Sequence, residues 1–598
     1  MDGYETLLPY YQRELSFLRR EGADFAQQYP QIARRLDVAG DTVTDPDVER
    51  LIESVAFLTA RIQHVIDQEF PIIPTAMLDI LYPQFSTPIP SMAIAQFRPP
   101  EEAGKLTTGL TVERGRQFFA ASGEKGAPVV RFRTCYPATI WPLQPSYAGF
   151  DDSYPEIVQA ERARSLFRLR LRSTGPGFAV LGVERLRVYL AGIELLTDRL
   201  YQMLTSEIRC VYVLPDGDAS RRVRLPAASV EPVGFRPDEA VLPDMPYGLD
   251  GYRLLLELFQ FPDKFRFLDF TGLDVAGDAT MIDLLFPVTV SPPAEIHADP
   301  GTFRLGCTPV INLFRGVSQP IRLTGEKLDY PVLADLGDRA SVEVHSIGRV
   351  AATPDPDRPV AWVKPYFGFA GPEGQAEDGL YWVARRRPTR LAGVPGDEMV
   401  LSFVDPAFKP AFPADRVLYA QLLCTNRRLA PFLPANQPLQ PDEAAVPGTQ
   451  ALLTAPTMPL EPATDGSSLW QLVTQLALGQ ASLVAGDGAV LRQFLQLYEL
   501  DGMVSSNVLI DALAGATATP ATLRAADGAS LIHGSDITLS FDDTVRPEGS
   551  LYILATVLDR VLPVFASANS FTRLSARLLS KAERWKSWPA RIGDRPLL

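Results

Sequence analysis

The residues best suited to chemistry are few and scattered. The 598-residue chain holds four histidines (His64, His297, His345, His533) and four cysteines (Cys135, Cys210, Cys307, Cys424). A zinc site or a redox dithiol needs such ligands in close pairs. No C-x-x-C pair and no H-E-x-x-H occurs. The Gly-rich phosphate loop G-x-x-x-x-G-K-[ST], the dinucleotide loop G-x-G-x-x-G and the nucleophile elbow G-x-S-x-G are also missing. "PDPD" (Pro354 to Asp357) and "PDGD" (Pro215 to Asp218) lack the remaining ligands of a calcium loop, and read as turns.

One local constellation invites a catalytic reading. In "IHGSD", His533 and Ser535 would share one face of a strand, with Asp536 beside them. No separate nucleophile signature supports it, so a structural strand or turn is expected. His64 lies on the polar flank of a helix and reads as a surface or inter-subunit contact. "RRRPTR" places four arginines within residues 385 to 390, either as a solvated loop or as a patch for an acidic partner. A carboxylate pair drawn from distant segments leaves no local trace, so a carboxylate-dependent hydrolase stays as a rival. No cofactor and no metal site is expected.

Composition narrows the classes. Net charge is −14, which disfavours nonspecific binding to nucleic acid or to an anionic membrane face. Only 8 of the 57 basic residues are lysine; genome base composition explains this, and arginine also suits interfaces. The cysteines read as buried free thiols of a reducing compartment. The N-terminus "MDGYETLLPYYQRE" has no basic and apolar leader, and the apolar "LYILATVLDRVLPVFA" is interrupted by Asp559 and Arg560. A cytoplasmic protein with no direct membrane insertion is expected. Proline is abundant, 53 residues, which predicts strands, turns and extended connectors.

The elements begin with helices. Tyr11, Leu15, Leu18, Gly22, Phe25 and Tyr29 recur at alternating spacings of four and three, a heptad seam for a partner helix. Pro9 suits the first turn, and Pro30 stops the run. A second helix opens at "TDPDVERL", with Asp45 as N-cap, Pro46 at the first helical position, and Asp47 and Glu49 on the positive end of the dipole. Val48, Leu51, Ile52, Val55, Ile62 and Val65/Ile66 make one apolar face, widened by Phe57 and Leu58. So wide a face implies contacts on more than one side. "EFPIIPTAMLDILYPQFSTPIPS" follows, with Pro71, Pro74, Pro83, Pro88 and Pro90. It reads as a stiff, packed joint: Pro71 ends the long helix, "TAMLDILY" is a short helix closed by Pro83, and Pro88 and Pro90 keep the exit extended.

From Met92 the period changes to two. "SLFRLRLRS" puts Phe167, Leu169 and Leu171 on one face and Arg168, Arg170 and Arg172 on the other. "IRCVYVLP", "KFRFLDF", "ASVEVHSI", "MVLSFVD" and "VLYAQLLCTN" read likewise, with short helices such as "IELLTDRLYQML" between. Residues 434 to 468 lack a sustained period and read as a loop or linker. Near the C-terminus, Leu551, Leu554, Leu558, Leu562 and Phe565 mark an amphipathic helix. The expected class is therefore a multidomain α+β protein with a helical N-terminal arm, a β-rich middle and an α+β C-terminal unit. Its expected parts are 1–91 (arm and joint), 92–330 (β-rich with inserted helices), 331–433 (a second β-rich segment), 434–468 (linker) and 469–598 (C-terminal α+β domain).

"YYQRELSFLRREGADFAQQYPQIARRL" and "DPDVERLIESVAFLTARIQHVIDQEFP" carry a resemblance to one family. It continues through "MLDILYPQF", "TPIPSMAIAQF", "FPDKFRFLDFTGL", "CTPVINLF", "ASVEVHSIGRV" and "CTNRRLAPFLP", and ends with "HGSDITLSFDD", "GSLYILATVLDRVLPVFASANSFTRL" and "WPARIGDRPLL". In order and end to end, the chain resembles the TssF (VasA/ImpG) family, baseplate subunits of the bacterial type VI secretion system. One departure is Asp47, where the family more often has histidine; it only adds to the favourable dipole interaction. The resemblance implies a structural, non-enzymatic wedge subunit. Implied partners are a second TssF copy, TssG, TssK and TssE in the wedge, then the VgrG spike hub and the base of the tube and sheath. It implies assembly at the inner face of the cytoplasmic membrane, and it turns the heptad seam, with Leu51, Val55 and Ile62, into a candidate inter-subunit helical bundle. A wedge protein of another contractile tail is the narrower alternative.

Overall fold

The two sequence periods divide the molecule into helices first and sheets after. The computed structural model describes residues 7–36, 46–69, 72–81, 85–100, 108–120, 128–243, 250–292, 297–324, 327–336, 339–353, 361–366, 381–389, 394, 396–404, 417–442, 446–462, 469–470, 472–474, 483–484, 487–500, 504–524, 531–581 and 583–593. The chain forms two compact units, Met1–Ser86 with Ala463–Ala477, and Thr87–Pro462 with Leu478–Leu598. Its class is mixed α+β.

The first unit is built on helices α1 (Leu8–Gln28), α2 (Pro30–Leu36), α3 (Pro46–Glu69) and α4 (Ile72–Leu81). Pro9 sits in the first turn of α1, where a missing N–H costs nothing. At Tyr29 the backbone leaves the helical region (φ −130°, ψ 64°), and Pro30 opens α2. α3 starts at Pro46 with Asp47 and Glu49 in its first turn; the expected cap Asp45 lies outside the described residues. α4 begins earlier than "TAMLDILY". Its first turn takes in Pro74, because the first N–H groups of a helix have no intrahelical acceptor to lose.

The second unit is a set of mostly antiparallel sheets. Strand Ser165–Ser173 buries Phe167, Leu169 and Leu171, as its alternation predicts. Two arginines of its other face are not left to water, although Arg172 is exposed. Arg168 donates from Nε and Nη2 to the Asp283 carboxylate at 3.0 and 2.8 Å, and Arg170 donates from Nε to the same carboxylate at 2.8 Å. Asp283 lies on the neighbouring strand Met281–Val288, with no exposed surface. The same device recurs where Arg185 and Arg187 meet buried Asp269 on strand Phe267–Thr271.

Three boundary expectations change. Residues 434–468 are not a plain linker. Gln440–Pro441 and Thr449–Leu452 are edge strands of a six-stranded sheet, and Leu439, Val446 and Leu452 join its core. Strands this short cannot show a period. The second β-rich segment also starts before residue 331: Phe314–Val317 and Asp329–Pro331 already pair within the eight-stranded sheet of Glu343–Thr353 and Val417–Thr425. Finally, the C-terminal region is no separate domain but part of the second unit.

The cause of that last change is one helix. Glu548–Val561 links two parallel strands, Leu531–Phe541 and Ser570–Leu578, which no tight turn can join. Its expected face is buried, but so are Tyr552, Ile553 and Thr556 on its other sides. It is a core helix, not an amphipathic surface one. It packs on helices Glu194–Ser206 and Asp250–Gln260, and the Ser550 hydroxyl donates to Asp198 at 2.8 Å. Gly549 makes this approach possible, since a Cβ there would lie 2.6 Å from the backbone N of Arg199. Gly549→Ala should therefore destabilise the protein by about 1–3 kcal/mol, the usual cost of overpacking. A lower urea midpoint at unchanged slope is the expected measurement; an unshifted midpoint would show that the two helices part freely.

Candidate assembly surface

α1 and α3 pack along each other in antiparallel sense. The Arg19 guanidinium pairs with Glu49, and the Tyr10 ring meets His64 edge-on at 5.2 Å. His64 is thus half-buried, in a ring contact within its own chain. On α1, Tyr11, Leu15, Leu18 and Gly22 are half-buried, whereas Phe25 and Tyr29 are exposed.

α3 does not carry one wide apolar face but two. Ala56 and Ala60 have no exposed surface, and Val48 and Ile52 are half-buried. The large side chains lie on the other side. Leu51, Val55, Leu58, Ile62, Val65 and Ile66 are all exposed, Leu51 by 65% and Ile62 by 61%. The alanines are fully covered, while most of the large side chains face outward. Leu51, Val55, Leu58, Ile62 and Val65 recur at spacings of four and three, the register that a partner helix reads. Burying one such side chain fully yields about 1.5–3 kcal/mol, which the isolated chain forgoes at every position of the stripe. The sequence did carry a signal for the inner face, the small residues Ala56 and Ala60 four apart.

In the proline segment, the division between the units falls at Ser86 and Thr87. Pro71 and Pro83 lie outside the described residues. Pro74, Leu78, Phe85, Ile89 and Pro90 are buried and Pro88 half-buried, but Ile73 is 63% exposed, counter to the expectation of a fully packed joint. The Pro88 carbonyl accepts a hydrogen bond from His345 Nε2 at 3.1 Å. His345 is buried, and the Arg386 guanidinium donates to its carbonyl oxygen. Burial first, then the nearby positive charge of Arg386, holds the imidazole down to about 3. It is therefore neutral, with its proton on the nitrogen that faces Pro88.

The remaining candidates are structural. All four cysteines are free and buried; burial pushes the Cys135 and Cys424 thiols up to about 12, far from thiolate chemistry. His533 is exposed on its strand, and Asp536 is taken by the Arg573 fork at 2.9 and 2.6 Å. In "RRRPTR", Arg385 to Pro388 are not loop but end the strand Tyr381–Pro388, which pairs with Asp397–Val404; Arg385 is exposed, and Arg390 lies outside the described residues. Arg386 donates to the carbonyls of Val344 and His345, and Arg387 lies 3.6 Å from Glu398, its partner across the ladder. "PDGD" is a turn, with Asp216 and Gly217 at positive φ, while "PDPD" lies outside the described residues. Among the described residues no group of three or more His, Cys, Asp or Glu side chains could hold a metal ion. No described helix is long and apolar enough to cross a membrane.

A family model described as "Type VI secretion system, TssF" matches residues 4–595. The type VI secretion system component TssF1 of Pseudomonas aeruginosa is 32% identical over 621 aligned residues, covering 99% of each chain. Two solved structures share the fold. A chain of the TssK-TssF-TssG baseplate subcomplex of the type VI secretion system aligns with a TM-score of 0.74 at 22% identity, over 92% of this chain and 99% of its own length. A chain of the baseplate complex from the type VI secretion system aligns with a TM-score of 0.61 at 21% identity, over 99% of this chain and 100% of its own.

Two measurements test this geometry. Ala60→Leu should cost about 1–3 kcal/mol by overpacking the inner face, whereas Leu58→Ser on the outer stripe should stay within about 0.5 kcal/mol of the parent. Thermal unfolding followed by helical circular dichroism separates them; equal losses would mean that both faces are internal core. The second concerns His345. Unfolded, a histidine titrates near about 6.5. Below that pH the unfolded chain binds a proton that the folded chain refuses, so folded stability falls with pH, by up to about 1.4 kcal/mol per pH unit from this residue. His345→Gln lacks this component. Urea unfolding at about pH 7 and about pH 5 should show a smaller loss in the variant than in the parent; identical losses would place the proton uptake elsewhere.

Proposed function

The chain belongs to the type VI secretion system TssF family, and from that premise we propose that it is a non-catalytic structural subunit of the baseplate wedge. The observation that carries this reading is the outer stripe of α3, Leu51, Val55, Leu58, Ile62 and Val65, five large apolar side chains that stay exposed. We assign the stripe, extended by Phe25 and Tyr29 of α1, to a helical bundle with TssG, the subunit named beside TssF and TssK in the similar baseplate subcomplex. Apolar helix–helix contacts of this kind hold obligate assemblies together.

In this reading a second TssF copy and TssE complete the wedge, TssK connects it outward, and the wedges surround the VgrG hub from which tube and sheath grow. The work is done in the cytoplasm, at the inner face of the membrane. The proline segment Pro71, Pro74, Pro83, Pro88 and Pro90 serves as the stiff joint that presents the bundle helices. The buried carboxylates support a structural part over a hydrolase. Asp283, Asp269 and Asp198 are each buried and paired with arginine donors, so none stands within reach of a substrate proton.

The deciding experiment is co-expression with TssG. Leu51→Asp, Val55→Asp and Ile62→Asp together should abolish co-purification while leaving the secondary structure and melting temperature of the isolated chain close to the parent, because all three positions are exposed. Undiminished recovery of TssG with the triple variant would move the interface elsewhere.

A further inference from the structure

The second unit carries one surface that the α3 stripe does not explain. The eight-stranded sheet of Phe314–Val317, Glu343–Thr353, Ala361–Pro365 and Val417–Thr425 turns Val350, Val363, Ala420 and Leu422 into its core. Period two sends the residues between them to the other face, and the ladders align these in rows. Tyr419 lies opposite Ala351, and Ala351 opposite Trp362. In the next row, Val317 lies opposite Gln421, and Gln421 opposite Arg349. Arg322 and Arg315 hold the two ends, opposite Val417 and Leu423. From Val417 to Leu423 a strand spans about 20 Å.

This face is open to solvent. Trp362 is 49% exposed and Tyr419 38%, and Arg315, Arg322 and Arg349 are exposed beside them. Arg168, Arg187 and Arg266 each hold a carboxylate elsewhere in the body. Here, among the described residues, the ion pairs of the sheet are Arg387 with Glu398 and Arg427 with Glu343, and neither includes Arg315, Arg322 or Arg349. The Arg349 guanidinium lies instead 5.5 Å from the centre of the Trp362 ring. Such a stack occupies the flat side of the fork and holds it in place, while the N–H donors lie in its plane and stay open at the edge. A carboxylate takes two such donors side by side. Trp, Tyr and Arg are also the side chains in which interfaces concentrate their binding energy.

We propose that this face binds an acidic, extended segment of a partner polypeptide. Arg349 is its central fork, Trp362 and Tyr419 are its apolar anchors, and Arg315 and Arg322 take carboxylates at the two ends. The charge of the face selects the partner: three cations without carboxylates of their own call for carboxylates from outside. The rings decide against a nucleic-acid strand, whose bases need open ring faces on which to stack. One face of Trp362 already carries Arg349, and the exposed Tyr366 ring is met edge-on by Tyr381 at 6.1 Å. No residue of α1 or α3 takes part, so the proposal holds whether or not the α3 stripe meets TssG.

The test adds the full-length protein to a fluorescein-labelled peptide of repeating Glu-Glu-Tyr triplets and follows fluorescence anisotropy. Binding to the parent should saturate. Arg349→Glu should weaken it at least about tenfold, the loss expected of one charge-assisted bidentate contact. Arg222→Glu, exposed beside the strand Val223–Pro226 of another sheet, should stay within about twofold of the parent. An unchanged melting temperature reports that each variant is folded. Arg349→Lys keeps the charge and loses the fork; it should weaken binding at least about threefold, and it is the variant to read should Arg349→Glu fail to fold. Absence of saturable binding to the parent would overturn the proposal, and so would equal binding by the parent and the Arg349 variants. An oligothymidine of equal length that binds more tightly than the peptide would make the face a nucleic-acid surface. Parental dimers in sedimentation that Arg349→Glu dissociates would assign it to a second copy of the chain. Either result would overturn the proposal as well.

Discussion

A buried carboxylate must find donors, and much of the body of this protein follows from how it does so. Asp283, Asp269, Asp198, Asp559 and Glu343 are all buried, and each faces an arginine; Glu257 faces Lys264 and the backbone N–H groups of Val241 and Leu242. Removing both partners of such a pair often costs little, but removing one leaves an uncompensated charge in a medium that cannot hold it. The pairs therefore specify more than they stabilise. A slip of one residue between Ser165–Ser173 and Met281–Val288 would carry Asp283 to the wrong side of the sheet, away from both guanidinium forks. The same logic joins distant parts of the sequence. Asp198 accepts from Arg266 and from Ser550, and Asp559 accepts from Arg591, so the last hundred residues are bonded into the body.

This gives the arginine excess a second explanation beside base composition. A planar fork can satisfy both oxygens of a buried carboxylate, as Arg187 does at Asp269 with two contacts of 2.8 Å, where an ammonium group offers a single point of charge. Arg168 goes further: it bonds Asp151 and Asp283 while its guanidinium lies 5.5 and 5.6 Å from the ring centres of Tyr147 and Tyr154. Only eight lysines are present to compete for such sites.

What could be read from the sequence follows the same division between local and distant causes. Period two found the strand at Phe167, Leu169 and Leu171, because alternation is a local property of a half-buried strand. Pro9, Pro30 and Pro46 marked helix ends for an equally local reason. The misreadings arose where the partner is remote. Thr449–Leu452 is a strand because Met92–Arg98 lies beside it, and nothing within residues 434–468 says so. Arg386 and Arg387 look solvated until the carbonyls of Val344 and His345 and the carboxylate of Glu398 arrive from other strands. Helix Glu548–Val561 reads as amphipathic when only its leucines are counted; its glycine and serine become buried against helix Glu194–Ser206, about 350 residues earlier.

The helices of the first unit obey the opposite rule. In the body the apolar faces of strands such as Ser165–Ser173 and Met281–Val288 are covered, and their buried carboxylate is matched to arginine. On α3 Ala56 and Ala60 take the inner position beside half-buried Val48 and Ile52, while Leu51, Leu58, Ile62 and Ile66 lie outside, an order that wastes apolar area in a free chain. Two small side chains permit close approach of α1 without consuming the large ones, so the antiparallel pair can form first and still keep its adhesive surface for a later partner. A chain that had placed Leu58 and Ile62 inward would gain stability alone and have nothing to assemble with. On the proposed function, the exposed stripe is the half of a core whose other half another polypeptide supplies, which is what a subunit of an obligate assembly requires.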